Sequence, residues 1–328
     1  MVRTIALIVA LVFVAACGGG DGGEAEPAGR EIAFTVNRAG WNEIWLMAPD
    51  GSDRRRLTEV EPPENDAAGS MSPAWSPDGT QIAFAAQIGT GVEDQRLTEI
   101  YVIRSDGRDR RRITTNEDFD GYPSWSPDGE RIAFARIAEP GTDAARSGIF
   151  VMDADGGHGV QITQAAWPSF DLSPAWSPDG SEIAFTRAAP SAGSDDPKAA
   201  LYVVTPEGGG LKMLTVDGAE PAWSPDGKRI AVTAFRDGFG RTCFHECSTS
   251  GEIYLVAADG GEAQRLTESE ADERSPAWSP DGRLIAFVSD RANPPEHENE
   301  IYVMNTSGDD IRQITRTEVW DLEPAWRP

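Results

Sequence analysis

A tryptophan motif that recurs about every 50 residues constrains this chain more than any other feature. The string Pro-Ala-Trp-Ser-Pro-Asp-Gly, or a close variant, carries Trp75, Trp125, Trp176, Trp223 and Trp278, at intervals of 50, 51, 47 and 55 residues. A unit of this length cannot bury its own hydrophobic face and must stack against its neighbours. The period is therefore typical of a propeller or a solenoid.

Three further strand-like segments follow each motif. After Trp75 they are Ile82–Phe84, Ile100-Tyr101 and Ile113-Thr114, and the later units repeat them. Four such segments in a unit predict a four-stranded blade. The Ser-Pro-Asp-Gly and Asp-Gly sequences between them have the composition of tight turns, so we interpret their aspartates as turn formers and not as ligands.

The two ends of the repeat region are complementary. Ile32–Phe34, Ile44-Trp45 and Leu57-Thr58 resemble the second to fourth strands of a unit, and Pro324-Ala325-Trp326 resembles a first strand. We therefore predict that residues 31–328 form an all-β, six-bladed β-propeller of four-stranded antiparallel blades, closed by N- and C-terminal strands in one blade. A linear solenoid is the competing architecture, but it requires atypical capping repeats.

This repeat pattern is similar to the WD40-like repeat of TolB-type propellers, which also occurs in the propellers of prolyl-oligopeptidase-like peptidases. The resemblance covers residues 31–328 and implies a six-bladed propeller that binds an envelope partner. A Gly-x-Ser-x-Gly nucleophile elbow does not occur in the sequence, so a hydrolase module is not expected.

The first 30 residues have the features of an export signal and a tether. Arg3 precedes the apolar stretch Ile5–Val14, and Val14-Ala15-Ala16-Cys17 resembles a bacterial lipobox. We predict a lipoprotein signal peptide at 1–16, a lipidated Cys17 with a flexible tether at 17–30, and a lipid-anchored protein on the extracytoplasmic side of a bacterial membrane, in the periplasm or at the cell surface. An ordinary secretory signal is the alternative.

The net charge limits the kinds of binding partner, and the cysteines indicate the compartment. With 29 basic and 54 acidic residues the net charge is -25, which excludes nucleic acid as a partner and leaves the membrane in contact only through the lipid anchor. The remaining cysteines, Cys243 and Cys247, predict a local disulfide in an oxidising compartment. A zinc site that includes His245 is the competing interpretation. A monomer is expected.

The varied loops predict the binding face. Connections between second and third strands, at 85–99, 135–148, 186–200, 233–252 and 288–300, are long, and they lie on the same face as the links between blades. We predict that this face binds an envelope protein or glycan through acidic and aromatic residues around the channel mouth, namely Asp118, Asp120, Tyr122, Trp167, Asp171, Asp217, Glu220, Asp272, Glu273, Arg274, Trp320, Asp321 and Glu323.

Two other interpretations of the same residues stay open. A ring of carboxylates could hold Ca²⁺ at the channel mouth, or the acids could form a solvated rim that confers solubility only. No other cofactor is expected, and the metal ligands are not identified.

A propeller enzyme of the lyase, lactonase or glycosidase type is the alternative function. His245 and His297, with Glu246 and Glu296 beside them, could form a metal-assisted site on the long loops. The third histidine, His158, falls in a predicted turn on the opposite face. Because no catalytic motif is found, we predict a protein that is not an enzyme.

Overall fold

The computed structural model describes residues 31–38, 41–59, 69–88, 97–139, 145–190, 197–235, 251–261, 263–292 and 298–328. All regular elements within these ranges are β-strands. This part of the chain contains no helix with the length and apolarity needed to cross a membrane. The predicted signal peptide, Cys17 with its tether, and the Cys243 and Cys247 pair lie outside the described residues.

The described residues form 25 strands. In chain order they are β1 (Ile32–Arg38), β2 (Trp41–Met47), β3 (Arg55–Arg56), β4 (Ser70–Trp75), β5 (Gln81–Gln87), β6 (Thr98–Arg104), β7 (Arg111–Arg112), β8 (Phe119–Trp125), β9 (Arg131–Ala138), β10 (Arg146–Asp153), β11 (Val160–Gln161), β12 (Ala165–Ala166), β13 (Phe170–Trp176), β14 (Ile183–Pro190), β15 (Pro197–Val204), β16 (Lys212–Thr215), β17 (Ala219–Trp223), β18 (Arg229–Ala234), β19 (Glu252–Ala257), β20 (Gln264–Arg265), β21 (Glu273–Trp278), β22 (Leu284–Ser289), β23 (Glu300–Asn305), β24 (Arg312–Gln313) and β25 (Trp320–Trp326).

These strands form antiparallel meanders of four. Meander 1 is β25-β1-β2-β3, and meanders 2 to 6 are β4 to β7, β8 to β11, β13 to β16, β17 to β20 and β21 to β24. Meanders 2 and 3 belong to one nine-stranded sheet, because a single parallel bridge joins Thr98 to Phe119 and β12 pairs with β10. The predicted all-β class and propeller architecture are confirmed.

The hydrophobic core lies between neighbouring meanders. Ile44 and Leu46 of meander 1, for example, pack against Trp75, Ile82 and Phe84 of meander 2. Burying one such side chain contributes about 1.5–3 kcal/mol. Since each first strand contacts the first strand of the next meander, and β21 contacts β25, every meander shares its core with two others.

Closure between the two ends of the propeller is confirmed. Strand β25 pairs with β1 in an antiparallel register that aligns Ile32 with Trp326 and Ala33 with Ala325. The backbone N–H of Arg327 also donates to the carbonyl of Glu31 at 2.8 Å. The first strand of meander 1 therefore comes from residues nearly 300 positions away from its second strand.

The strands are longer than the apolar segments predicted. Strand β9 extends to Ala138 and β14 to Pro190, so the connections are shorter than the predicted loops at 135–148 and 186–200. First strands likewise begin several residues earlier, with β8 starting at Phe119. Backbone pairing continues beyond the buried stretch wherever polar residues can face solvent, and hydrophobicity alone does not mark that boundary.

Each first strand contains a bulge ahead of a proline. In β8, Gly121 aligns with Ala135 and Ser124 with Ala133, which leaves one extra residue on β8. Within this bulge Tyr122 adopts a left-handed conformation with φ 55°. The following Pro123 lacks an N–H, which is tolerated because the first strand is the edge that faces the channel.

The aspartates of the Ser-Pro-Asp-Gly motif are turn residues, as predicted. At the first motif, Asp78 Oδ1 accepts hydrogen bonds from Ser76 Oγ at 2.6 Å and from the Thr80 backbone N–H at 3.0 Å. The same pattern lowers the pKa of Asp179 to about 2, chiefly through its hydrogen bond with Ser177. These aspartates stabilise turns on what we call the short-turn face; the opposite end of the sheets is the long-loop face.

Removal of β25 tests the dependence of the fold on closure. Deleting residues 320–328 should abolish cooperative unfolding in a single transition, because β1 loses one of its two partner strands and the cores of meanders 1, 2 and 6 are exposed. Differential scanning calorimetry would measure this. Deleting only Arg327 and Pro328 leaves β25 in place and should shift the melting temperature by only a few degrees. A 320–328 deletion that melts like the parental chain would contradict the assigned role of β25.

Candidate functional site

The first strands of the six meanders line a central channel. The left-handed bulge residues and the prolines that follow them surround a cavity of about 160 Å³. All six bulge residues have φ between 50° and 55°. The equivalent positions are Ser72, Tyr122, Ser173, Glu220, Ser275 and Glu323.

This ring is chemically asymmetric although its backbone repeats. Three positions carry serine, and the other three carry Tyr122, Glu220 and Glu323. These last three were expected among the residues around the channel mouth, and the structure places them within β8, β17 and β25. The three serines were not predicted. They could have been found from their spacing, because each stands three residues before a motif tryptophan.

The two ring glutamates connect neighbouring meanders. Glu323 accepts hydrogen bonds from Thr35 Oγ1 and the Ser72 backbone N–H, both at 2.7 Å. Glu220 accepts hydrogen bonds from Thr233 Oγ1 and the Ser275 backbone N–H, both at 2.8 Å. Burial raises the pKa of Glu323, and the Glu220 charge acts in the same direction, while the hydrogen bonds from Thr35 and Ser72 oppose it.

Tyr122 completes the polar side of the ring. Its aromatic ring lies 6.2 Å from that of Phe119 between centroids. Burial raises the pKa of its phenol, and the charges of Glu323 and Glu220 add to the rise. Tyr122 is therefore a neutral phenol in the channel, able to donate a hydrogen bond to a ligand.

Four acids expected at the channel mouth are buried in ion pairs instead of exposed. Asp120 binds Arg136 through two hydrogen bonds of 2.6 and 2.7 Å, and Asp171 binds Arg187 in the same way at 2.5 and 2.7 Å. Their carboxylates, like those of Glu273 and Asp321, have no solvent exposure. A partner on the surface cannot contact these side chains, so the expectation of an exposed acidic rim is wrong at these four positions.

The other two buried acids each have an arginine partner and lie near a second carboxylate. Glu273 contacts Arg291, and burial together with a hydrogen bond to Glu252 raises its pKa. Asp321 lies 3.0 Å from Arg54. Burial raises the pKa of Asp321 to about 6, an effect that Arg54 opposes and Glu300 increases.

Three of the remaining predicted residues are also engaged within the protein. Asp217 accepts a hydrogen bond from the Phe235 backbone N–H at 3.2 Å, and Asp272 accepts one from Gly251 N–H at 2.9 Å. Arg274 contacts Asp272. Asp118 is partly exposed near Arg136, and burial raises its pKa.

Three tryptophans of the described residues are exposed on the long-loop face. Trp167 and Trp320 are 44% and 46% exposed, as expected for contact residues. Trp41, 39% exposed, was missed. It belongs to the same end of meander 1 as Trp320, because the adjacent residues Arg38 and Asn37 pair with Trp41 and Trp320 respectively. The sequence offered one sign of this exposure, because Trp41 begins its strand ahead of the apolar stretch that starts at Ile44.

The predicted metal and catalytic groups are not located by the structure. Among the described residues, no group of three or more His, Cys, Asp or Glu side chains is placed to hold a metal ion, so calcium binding stays a prediction without identified ligands. His245, Glu246, Glu296 and His297 lie outside the described residues. His158 lies in a turn of the short-turn face, as predicted, where its Nδ1 is 2.6 Å from Asp153.

Comparison with known families identifies the repeats. Residues 141–328, which make up more than half of the chain, match the family described as TolB beta propeller domain. The chain belongs to the TolB β-propeller family.

Relatives in this family share part of the chain. A TolB homologue of Chlorobium luteolum is 30% identical over 171 residues, which cover 49% of this chain and 32% of the relative. The Tol-Pal system protein TolB of Bordetella pertussis is 33% identical over 149 residues, covering 44% of this chain and 30% of that protein. The chain thus spans about a third of the length of these curated relatives.

Solved structures agree on the fold. The crystal structure of TolB from Acinetobacter baumannii superimposes with a TM-score of 0.68 at 22% identity, covering 91% of this chain and 66% of that chain. Propellers of an oligogalacturonate lyase and of a puromycin-hydrolysing peptidase also share the fold, at 16% identity and TM-scores of 0.57 and 0.54. Similarity at this level establishes the architecture of the TolB propeller and not its activity.

The buried acids predict an unusual dependence of stability on pH. Asp321, Glu273, Glu300 and Glu323 have raised pKa values, so the native state binds protons that the unfolded state does not. For Asp321, the free energy of unfolding should increase as the pH falls from about 6 to 3.8. Below pH 3.8 the turn aspartates, with lowered pKa values such as that of Asp179 at about 2, should reverse the trend.

Thermal unfolding monitored by circular dichroism between pH 7 and pH 2.5 would measure this profile. The melting temperature should pass through a maximum in the range of about pH 4–5. Asp321→Asn should reduce the slope of the free energy of unfolding against pH between pH 6 and pH 4. The reduction should reach up to about one proton, or about 1.4 kcal/mol per pH unit. A parental profile that falls steadily from pH 7 downward, or an unchanged slope in the variant, would contradict the assignment.

Proposed function

We propose that this TolB-family chain is an exported, membrane-tethered propeller that binds another protein of the bacterial envelope through its long-loop face. The exposed tryptophans Trp41, Trp167 and Trp320 are the observation that supports it most directly. Large aromatic side chains are costly to leave in water and are the residues that most often dominate the energy of protein interfaces.

The buried ion pairs support this interpretation. Asp120, at the start of β8, and Asp171, at the start of β13, are each held by an arginine of the next strand. Both strand starts lie on the long-loop face. Trp167 packs edge to face on Phe170, the first residue of β13, with the ring centroids 5.5 Å apart. A contact side chain that is already ordered loses less entropy when a partner binds.

We infer that the propeller has six blades, each corresponding to one meander. The nine-stranded sheet then counts as two blades joined by one bridge pair. The six bulge residues that surround one cavity, and the cyclic contacts from β4 to β25 and back to β4, support this count.

The location and partner follow from the signal sequence and the relatives. We propose that lipid on Cys17 holds the propeller at the membrane surface, with 17–30 as a tether, in the periplasm or at the cell surface. The Bordetella pertussis relative is named as a component of the Tol-Pal system, which supports an envelope protein as the partner. A monomeric propeller at the end of a tether can present its whole long-loop face.

We propose binding without catalysis and without a metal requirement. The carboxylates of Asp120, Asp171, Glu273 and Asp321 are bound to arginines, and those of Glu220 and Glu323 accept hydrogen bonds from neighbouring meanders. Carboxylate oxygens engaged in this way are less available to a substrate or to a calcium ion. Chelation with EDTA should therefore leave partner binding unchanged.

Paired alanine substitutions test the binding face. In crosslinking pull-downs from membranes of the parental organism, Trp167→Ala with Trp320→Ala should reduce recovery of the partner by roughly tenfold or more, because contact residues of this type often contribute over 2 kcal/mol each. The matched control is Leu211→Ala, a change at a 49% exposed residue that leads into β16 from the short-turn face. Equal loss in both variants, or in neither, would contradict the proposal.

A glycan ligand gives a different result in the same experiment. Protease treatment of the extract would leave a polysaccharide ligand able to bind the parental chain, whereas a protein partner would be lost. Melting temperatures of all variants should match that of the parental chain within a few degrees, since the substituted side chains are exposed.

A further inference from the structure

The short-turn face carries a repeated stacking arrangement between neighbouring meanders. At two junctions the arginine just before an Ile-Ala-Phe or Ile-Ala-Val segment stacks on the motif tryptophan of the next meander. Arg131 lies over the Trp176 ring at 4.8 Å from the centroid, and Arg229 lies over Trp278 at 5.2 Å. In these two junctions an arginine covers the indole, and the tryptophans are 7–8% exposed.

The junction of meanders 1 and 2 has a glutamate at the same position and obtains its arginine from elsewhere. Glu31 precedes Ile32, and Arg327, which follows β25, lies over Trp75 at 5.1 Å. Arg327 Nη1 also lies 2.8 Å from Glu31 Oε2. The guanidinium is thus held between an indole and a carboxylate, and it comes from a separate segment of the chain.

The junction of meanders 4 and 5 has the same glutamate and tryptophan but no stacked arginine in the part of the chain that the structure describes. Glu182 occupies the position of Glu31, and Trp223 that of Trp75. Among the described residues no arginine lies over Trp223 and no cation pairs with the Glu182 carboxylate. A cavity of about 350 Å³ is present instead, lined by Trp223 and Glu182. We call it the turn cavity.

Exposure of the indole supports the comparison. Trp223 is only partly buried, whereas the other five motif tryptophans are 7–8% exposed. At the two junctions without a stacked arginine among the described residues, Gln81 and Leu284 occupy the position, and Trp125 and Trp326 are still buried. Trp223 is therefore the least buried of the six indoles, at the one junction where an acid stands beside the indole with no stacked arginine among the described residues.

Charge around the turn cavity favours a cation. Asp179 and Asp226 also line it, and hydrogen bonds from Ser177 and Ser224 hold their pKa values below the ordinary range, so both are ionised at neutral pH. Lys228 and Arg229 are the basic residues whose charges act on Asp226, and Arg229 is already stacked on Trp278.

We propose that the turn cavity is a docking site for an arginine side chain of a protein partner. A guanidinium can stack on the Trp223 indole while it donates hydrogen bonds to the Glu182 carboxylate, as Arg327 does with Trp75 and Glu31. The ammonium group of lysine is compact and strongly hydrated, so it stacks less well. This site lies on the face opposite the long loops and does not depend on the function proposed above.

Titration of the protein with small arginine probes tests the site. The indole N–H signal of Trp223, assigned by its disappearance in Trp223→Phe, would be followed by NMR during addition of N-acetyl-arginine methylamide. A dissociation constant on the order of 1–10 mM is expected for a single stacked and paired side chain. The citrulline analogue, which is neutral but has nearly the same shape, should bind at least about tenfold more weakly.

Variants at Glu182 separate the site from a general charge effect. Glu182→Arg should supply an internal arginine like Arg131, cover Trp223 and abolish the response. Glu130→Arg, an equal charge change at an exposed turn residue of meander 3, should leave the response unchanged. Glu182→Gln keeps the shape of the side chain and should weaken binding by roughly tenfold, which tests the carboxylate if Glu182→Arg does not fold.

Several outcomes would overturn the proposal. No shift of the Trp223 signal up to about 100 mM probe, far above the expected dissociation constant, would reject the site. Equal binding of the citrulline analogue, or an undiminished response in Glu182→Gln, would show that the site does not recognise a positive charge. A Gly-Arg-Gly peptide that binds no more tightly than guanidinium ion would indicate a small cation and not a protein arginine.

Discussion

The antiparallel pairing of β25 with β1 is the interaction on which the rest of the structure depends. Each meander buries its hydrophobic side chains against the next, so an open ring would leave one sheet with an unpaired edge and two sheets with exposed cores. The pairing from Ile32 with Trp326 to Asn37 with Trp320 converts a row of weakly stable sheets into a cycle. Stability, channel and both faces therefore arise together and would be lost together.

Buried charge is the second constraint, and it separates structural acids from surface acids. Taking a carboxylate and a guanidinium out of water costs several kcal/mol per ion, which a bidentate pair such as Asp120 with Arg136 can offset. Removing one partner would leave an unpaired buried charge, so these residues are tied to the fold. The protein's large excess of acidic groups is consequently not all available for recognition, and exposed tryptophans carry more of the long-loop face than carboxylates do.

Much of the fold could be predicted from the sequence, because a propeller repeats a local pattern of apolar segments and tight turns. The Trp75 motif, its turn aspartate and the strands after it all follow from spacing and turn chemistry. The burial of Asp120 and Asp171 could not be predicted in this way, since exposure depends on how the strands pack. A signal was present: Arg136 and Arg187 each follow their acid by 16 residues, a spacing that places both on paired strands. Trp41 was missed because an indole beside a turn resembles a core residue.

Repetition makes departures from the pattern informative. Six equivalent positions share one backbone conformation, so a difference between them reflects a side chain and not a difference of fold. In the channel, the ring of serines is interrupted by Tyr122, Glu220 and Glu323, which bridge meanders or present a neutral phenol. At the turns, an indole is covered by Arg131 in one junction and uncovered beside Glu182 in another. Since packing alone is satisfied by the common residues, the exceptional ones are where this propeller is most free to differ in what it binds.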